Sequence, residues 1–123
     1  MKIKPIILPL FLSLFLTNCV QKTYEKTVVF TLDVTDLKTV KKVGIRGNDK
    51  PLSWDTDTKM KAIKKNALYQ VTITGKMAYK FTEVKFVVND TVELQNEDGR
   101  RVLFSKKDTT FFKATFNKRD KSN

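Results

Sequence analysis

The sequence contains no histidine and a single cysteine, Cys19. Without an imidazole, the chain cannot assemble a Ser-His or Cys-His nucleophile pair. One cysteine also excludes an intrachain disulfide framework. Glu83 and Glu93 could supply the two carboxylates of a glycosidase, but a domain this small leaves little room for a cleft. We therefore expect a protein that is not an enzyme.

Metal ligands are equally sparse. Asp55 and Asp57 have the spacing that begins a calcium loop, but the third ligand, the glycine and the distant glutamate of such a loop are missing. A solvated turn explains this spacing better than a metal site does. We expect no metal and no cofactor.

Long apolar runs are scarce, and the clearest lies between Pro5 and Leu16, behind the charged start Met1-Lys2-Ile3-Lys4. This run is shorter than the roughly 20 residues that span a bilayer, so the pattern predicts a cleaved secretory signal peptide over residues 1–18. Cys19 follows Leu16-Thr17-Asn18, which resembles the lipobox of bacterial lipoproteins. That resemblance implies a lipidated Cys19 and a lipid-anchored protein of the bacterial cell envelope, at the outer membrane. The alternative is a free thiol in the leader.

The segment after Cys19 begins with polar residues and is interpreted as a tether over 19–26, followed by one domain over 27–117 and a basic tail over 118–123. Lysine and arginine total 24 against 13 acidic residues, and the net charge is +11. Such an excess favours anionic partners. However, the basic residues form no compact block, and no helix or aromatic strand signature suits nucleic acid, so we expect no nucleic-acid binding.

Alternation with a period of two residues dominates the rest of the chain. In 27–34, Val28, Phe30, Leu32 and Val34 fall on one face, as a half-buried strand requires. Similar runs occupy 42–47, 60–64, 67–74, 80–88, 91–95, 101–105 and 110–117. The pattern predicts an all-β fold, an immunoglobulin-like antiparallel β-sandwich of about 7–8 strands.

Turn residues separate these runs. Reversals are expected at Asn89-Asp90, at Gly75 and at Asp98-Gly99, the last as a hairpin. The apolar positions of the runs supply the predicted core, which is Phe30, Leu32, Ile45, Tyr69, Val71, Ile73, Phe86, Val88, Leu103, Phe112 and Phe116.

The single tryptophan, Trp54, stands in the polar stretch "GNDKPLSWD" between two predicted strands. Two interpretations remain open. An exposed indole offers a flat apolar face and one N–H donor, which suits stacking on a sugar ring. Alternatively, the ring folds down and caps one end of the sandwich.

The order of "KVGIRGNDKPLSWD", "ALYQVTITG" and "EVKFVVNDTVELQNEDGRR" resembles the starch-binding domains, the family 20 carbohydrate-binding modules. The likeness covers about residues 27–117. It implies a non-catalytic module that binds an α-glucan such as starch or glycogen. Trp54 matches the first stacking tryptophan of that family, and Lys85 matches a lysine that donates to sugar hydroxyls. The polar residues beside the matched motifs, Asp55, Glu93 and Asn96, complete the expected carbohydrate-binding set.

Two family positions differ in this chain. The second stacking tryptophan would fall at Leu94, and the asparagine that precedes an arginine would fall at Gly99. These differences support an alternative function, a structural or protein-interaction lipoprotein of the envelope that kept the sandwich and lost sugar binding. The expected partners are therefore a polysaccharide or an envelope protein, together with the membrane that holds the lipidated Cys19.

Overall fold

The computed structural model describes residues 23–77 and 79–119. Within these ranges the chain forms strands and no helix, so none of the described residues builds a helix that could cross a membrane. The strands are β1 (Tyr24–Asp33), β2 (Val43–Gly47), β3 (Thr58–Lys59), β4 (Lys61–Lys64), β5 (Leu68–Met77), β6 (Phe81–Val88), β7 (Thr91–Val92), β8 (Arg100–Leu103) and β9 (Thr109–Thr115). The predicted signal peptide and Cys19 lie outside the described residues.

The strands form two sheets. The first has the order β4-β5-β1-β9, and the second has the order β3-β2-β6, with β7 and β8 both paired to the far side of β6. The predicted all-β sandwich is confirmed. Every pairing is antiparallel except that of β1 with β9, which is parallel. β1 also begins at Tyr24, so it includes the last residues of the segment predicted as a tether.

Aromatic rings join the two sheets at the centre of the core. Phe30 on β1 meets Phe86 on β6 edge-to-face at 6.2 Å between ring centroids, and it meets Phe112 on β9 at 6.0 Å. Edge-to-face pairs contribute about 0.5–1.5 kcal/mol beyond the burial of their area. Val28, Phe30 and Leu32, whose alternation predicted β1, therefore form the face of this strand that packs against the second sheet.

Most predicted core residues are buried, and Val71, Phe112 and Phe116 are partly buried against the core. The prediction that Leu103 belongs to the core is wrong, because this side chain is 67% exposed. In β8 the side chains of Arg100 and Val102 turn inward, so Leu103 must face outward. Because Val102, Leu103 and Phe104 are all apolar, the sequence does not show which of them face the core. A shift of one residue exchanges the two faces of the strand.

Two of the three predicted turns are wrong. Asn89-Asp90 does reverse the chain between β6 and β7, with positive φ at both residues. Asp98-Gly99 forms no hairpin, because β7 and β8 both pair with β6 instead of with each other. The residues between them, 93–99, leave the sheet as an excursion that we call the 93–99 loop.

Gly75, the third predicted reversal, lies inside β5 and pairs with Lys26. A Cβ at Gly75 would lie 2.3 Å from the carbonyl oxygen of Lys50, a separation that no real Cβ shows. Because Gly75 has no side chain, the loop between β2 and β3 (residues 48–57) can pack directly on the backbone of β5. Its role is close approach of two backbones rather than chain reversal.

We expect Gly75→Ala to destabilise the domain by about 1–3 kcal/mol, because the added methyl must push away the backbone of Lys50. Urea titration of the purified variant measures this change. Thr72→Ala, at an exposed position of the same strand, is the matched control and should change stability by less than about 0.5 kcal/mol. Equal stability of the two variants would show that the loop does not depend on this approach.

Candidate functional site

The 48–57 loop divides its two large apolar residues between core and surface. Leu52 is buried in the hydrophobic core, and its Cδ1 would lie 2.7 Å from a Cβ placed at Gly47. Trp54, two residues later, is 40% exposed and does not belong to the core cluster. Leu52 therefore fills the interior beneath the loop, and the indole remains at the surface.

Hydrogen bonds hold Trp54 in one place. Its Nε1–H donates to the Oδ1 of Asn48 at 3.4 Å, and its carbonyl accepts from Nη1 of Arg46 at 3.0 Å. Arg46 is in turn paired with Asp57, with 2.5 Å between Nε and Oδ1. A Cβ at Gly99 would lie 3.4 Å from Cη2 of Trp54. The ring thus lies on the outer face of the second sheet, next to Gly99, in a position set by β2 and two loops.

An open groove of about 940 Å³ runs beside the indole. Asp55 lines it next to Trp54, and the Asp55 amide donates to Oγ of Ser53 at 3.0 Å. Further polar groups come from the loop and from β5, namely Asn48, Lys50, Ser53, Thr74 and Lys76. A flat apolar face bordered by donors and acceptors can stack on one side of a sugar ring while the border bonds its hydroxyls.

Asn96 lies on the other side of Gly99, where it lines a polar cavity of about 580 Å³. Glu83, Arg101 and Arg119 line the same cavity, and Nε of Arg119 lies 3.0 Å from Oε1 of Glu97. Gly99 lines this cavity and also approaches Trp54, so the two surfaces adjoin. Sequence reasoning did not select Arg101 and Arg119 as site residues, although the former stands in the matched "DGRR" stretch.

Lys85 lies on β6, next to the strand β2 that leads into the 48–57 loop, and its side chain holds a different loop in place. It faces Arg46 across the β2–β6 pairing, and its Nζ donates to the carbonyl of Leu94 at 2.9 Å. The half-buried ammonium therefore ties the 93–99 loop to the sheet.

Glu93 is not at the surface, where the sugar-binding expectation required it. It is 1% exposed, and its carboxylate is bonded to Nε and Nη2 of Arg100 at 2.7 and 2.8 Å. The backbone amides of Phe86 and Asn117 donate to the same carboxylate at 3.0 and 2.9 Å. Each carboxylate oxygen thus already accepts two hydrogen bonds, and Glu93 is a structural residue of the interior.

The expected second stacking position is also inside. Leu94 is buried, and its amide donates to Oδ1 of Asn117 at 2.8 Å. An indole at this position would have to fit into the interior and would offer no outward face. The described residues thus place one aromatic ring, that of Trp54, at the positions that the family resemblance assigns to stacking.

The described part of the chain holds no group of three or more acidic, histidine or cysteine residues arranged to bind a metal ion. In comparisons with known proteins, no family model and no curated protein matches the chain. The likeness to starch-binding domains therefore depends on the order of motifs in the sequence. Function has to be inferred from the contacts of the site.

Glu93→Ala should destabilise the protein by about 3–5 kcal/mol, because it leaves the Arg100 guanidinium buried without its counter-charge. Thermal and urea unfolding measure the loss. Glu97→Ala is the control: it removes the exposed partner of Arg119, so less than about 1 kcal/mol is expected. A Glu93→Ala variant that keeps its stability and loses only ligand binding would contradict a structural role.

Proposed function

We propose that this protein is a non-catalytic, membrane-anchored carbohydrate-binding lipoprotein of the bacterial cell envelope, with an α-glucan such as starch or glycogen as its ligand. The observation that carries the proposal is the exposed Trp54, held beside a polar groove by Asn48, Arg46 and the close approach of Gly99. The leader and the order of sequence motifs support the anchor and the class of glycan.

In this proposal the indole stacks on the C–H face of a glucose ring. Asp55 accepts hydrogen bonds from hydroxyls at one edge of the ring, and Asn96 with Arg101 serves a neighbouring sugar across Gly99. Lys85 acts indirectly, since its bond to Leu94 holds the 93–99 loop beside the indole. Because hydrogen bonds fix the indole before binding, the ring loses little conformational entropy when the sugar arrives.

The affinity should be weak. Micromolar binding requires about 8 kcal/mol, and a single exposed ring with a few hydrogen bonds to a solvated sugar supplies less than this. We therefore expect dissociation constants above the micromolar range for a short oligosaccharide. Retention on a polymer is the sensitive assay, because many binding positions lie close together.

Trp54→Ala should abolish retardation in native gels that contain starch, glycogen or pullulan, since it removes the stacking face. Its stability should fall by less than about 1 kcal/mol, because the ring lies outside the core, whereas core aromatic losses cost about 3–5 kcal/mol.

Phe111→Ala is the matched control for the Trp54 variant. It removes an exposed ring from β9, on the other sheet, and should migrate as the parent does. If the parent runs unretarded in all three polysaccharides, the α-glucan proposal is wrong.

The burial of Leu94 favours a second candidate function, a structural or protein-interaction lipoprotein of the envelope. With a single tryptophan in its sequence, the chain lacks the paired indoles by which starch-binding modules follow a curved glucan. The two functions differ in a pull-down from solubilised membranes. A protein partner that remains bound in excess maltooligosaccharide supports the second function, and release by the sugar supports the first.

Cys19→Ser tests the anchor separately from the site. Without the thiol no acyl chain can be attached, so the variant should move from the detergent phase to the aqueous phase of a detergent extraction, or accumulate with its leader uncleaved. Mass spectrometry of the parent should find a lipid on residue 19. A parent that carries no lipid and partitions into water contradicts the anchor and leaves the Trp54 proposal untouched.

A further inference from the structure

An open groove of about 720 Å³ lies at the end of the sandwich where β1 begins. Three of its lining residues are aromatic, Tyr24, Tyr79 and Phe104, and the two tyrosines are 57% and 67% exposed. The others are Lys26, Lys80, Ser105 and Lys106. We call this surface the Tyr24 groove. It is separate from the Trp54 groove, with which it shares no lining residue.

The charge of the Tyr24 groove has one sign. Three lysines line it, and no acidic residue does so among the residues that the structure describes. The acidic residues nearest along the chain are Glu25 and Asp108, which flank the groove and do not line it. Lys107 adds a further positive charge in the same turn as Lys106. The surface thus combines amphipathic rings with an excess of positive charge.

We propose that the Tyr24 groove docks on the anionic headgroups of the membrane to which the protein is anchored. Tyrosine and tryptophan are enriched at the interface between headgroups and acyl chains, where a ring can be partly apolar and partly wet. Lysines close to a bilayer are attracted by the negative potential of anionic lipids. The rings of the Tyr24 groove thus suit the boundary with the acyl chains, and its lysines suit the anionic headgroups.

The position of the groove also matches the anchor, so this inference rests on the lipidated Cys19 of the proposed function. Tyr24 comes five positions after Cys19, a distance of at most about 18 Å when the chain is fully extended. β1 has ten residues and is about 33 Å long. The pairings of Tyr24 with Met77 and of Asp33 with Leu68 mark the two ends of the strand. An anchor on Cys19 therefore holds the Tyr24 end, not the Asp33 end, against the bilayer.

Lysine footprinting tests the docking on the full chain as a bacterial host processes it. The protein is placed in vesicles of phosphatidylcholine and in vesicles of equal parts phosphatidylcholine and phosphatidylglycerol, and its lysines are acetylated and counted by mass spectrometry. We expect Lys26, Lys80 and Lys106 to lose reactivity in the anionic vesicles. Lys41, Lys64 and Lys65, which lie toward the Asp33 end, should react equally in both. Equal reactivity of the two sets in both vesicles would overturn the proposal.

A pair of matched variants adds a second measurement. Lys26→Glu/Lys80→Glu/Lys106→Glu reverses the charge of the groove, and Lys41→Glu/Lys64→Glu/Lys65→Glu makes the same change of net charge at the other end. In the anionic vesicles only the first variant should lose protection at the groove, followed through Lys107 beside it. The reactivity of Lys107 should then return to its level in neutral vesicles in this variant alone. If both triple variants lose protection alike, net charge explains the effect and the groove does not.

The same experiment separates docking from anchoring. Retention of the protein on neutral vesicles through sedimentation reports the acyl anchor alone. If the protein is lost from neutral vesicles but is held by anionic vesicles, and the groove variant is released while the control variant stays, the anchor has failed and docking stands. If it is held on both and Lys26, Lys80 and Lys106 remain fully reactive, the anchor stands and docking is refuted.

Discussion

The buried ion pair between Glu93 and Arg100 is the contact on which the second half of the fold depends. Its carboxylate accepts from the amides of β6 and of Asn117, and Nη2 of Arg100 also donates to the carbonyls of Thr115 and Lys118 at 2.9 and 2.8 Å. A buried pair stabilises a fold only when its remaining donors and acceptors are satisfied. Here the groups that satisfy it belong to β6, to the last residue of β9 and to the chain that follows β9.

The geometry of the candidate site follows from that pair. Because Glu93 and Arg100 meet inside the protein, the chain from Glu93 to Gly99 leaves the sheet as the 93–99 loop. The loop then presents the Leu94 carbonyl to Lys85 and brings Gly99 within reach of the Trp54 ring. A Cβ at Gly99 would lie 3.2 Å from the carbonyl oxygen of Val84, so a larger residue there would force that backbone to shift slightly. The exposed indole is therefore positioned partly by a charge pair that it does not touch.

The sequence was sufficient to predict features encoded by neighbouring residues and insufficient for those encoded by distant ones. Alternation identified the strands because each strand carries its own pattern of apolar side chains. Glu93 carried no such signal: within "TVELQ" it looks like an outward polar residue. Its burial depends on a guanidinium seven residues away and on amides from β6 and from the turn after β9. The prediction of a turn at Gly75 failed for a related reason. The segment that approaches this glycine belongs to a loop about 25 residues earlier in the sequence.

The lipid docking and the glycan binding proposed above would be compatible in one small sandwich, because the two grooves share no lining residue. The contact between Gly75 and Lys50 brings the 48–57 loop near the Tyr24 end, while Trp54 reaches over the outer face of the second sheet. A domain seated on its Tyr24 groove would thus hold the indole beside the bilayer surface, open to the side. If the protein is so confined, the concentration of these sites around one polymer would rise, and weak binding by single rings would add up to firm attachment. On this view the weakness of each site is what permits a long glycan to move along the envelope without being released.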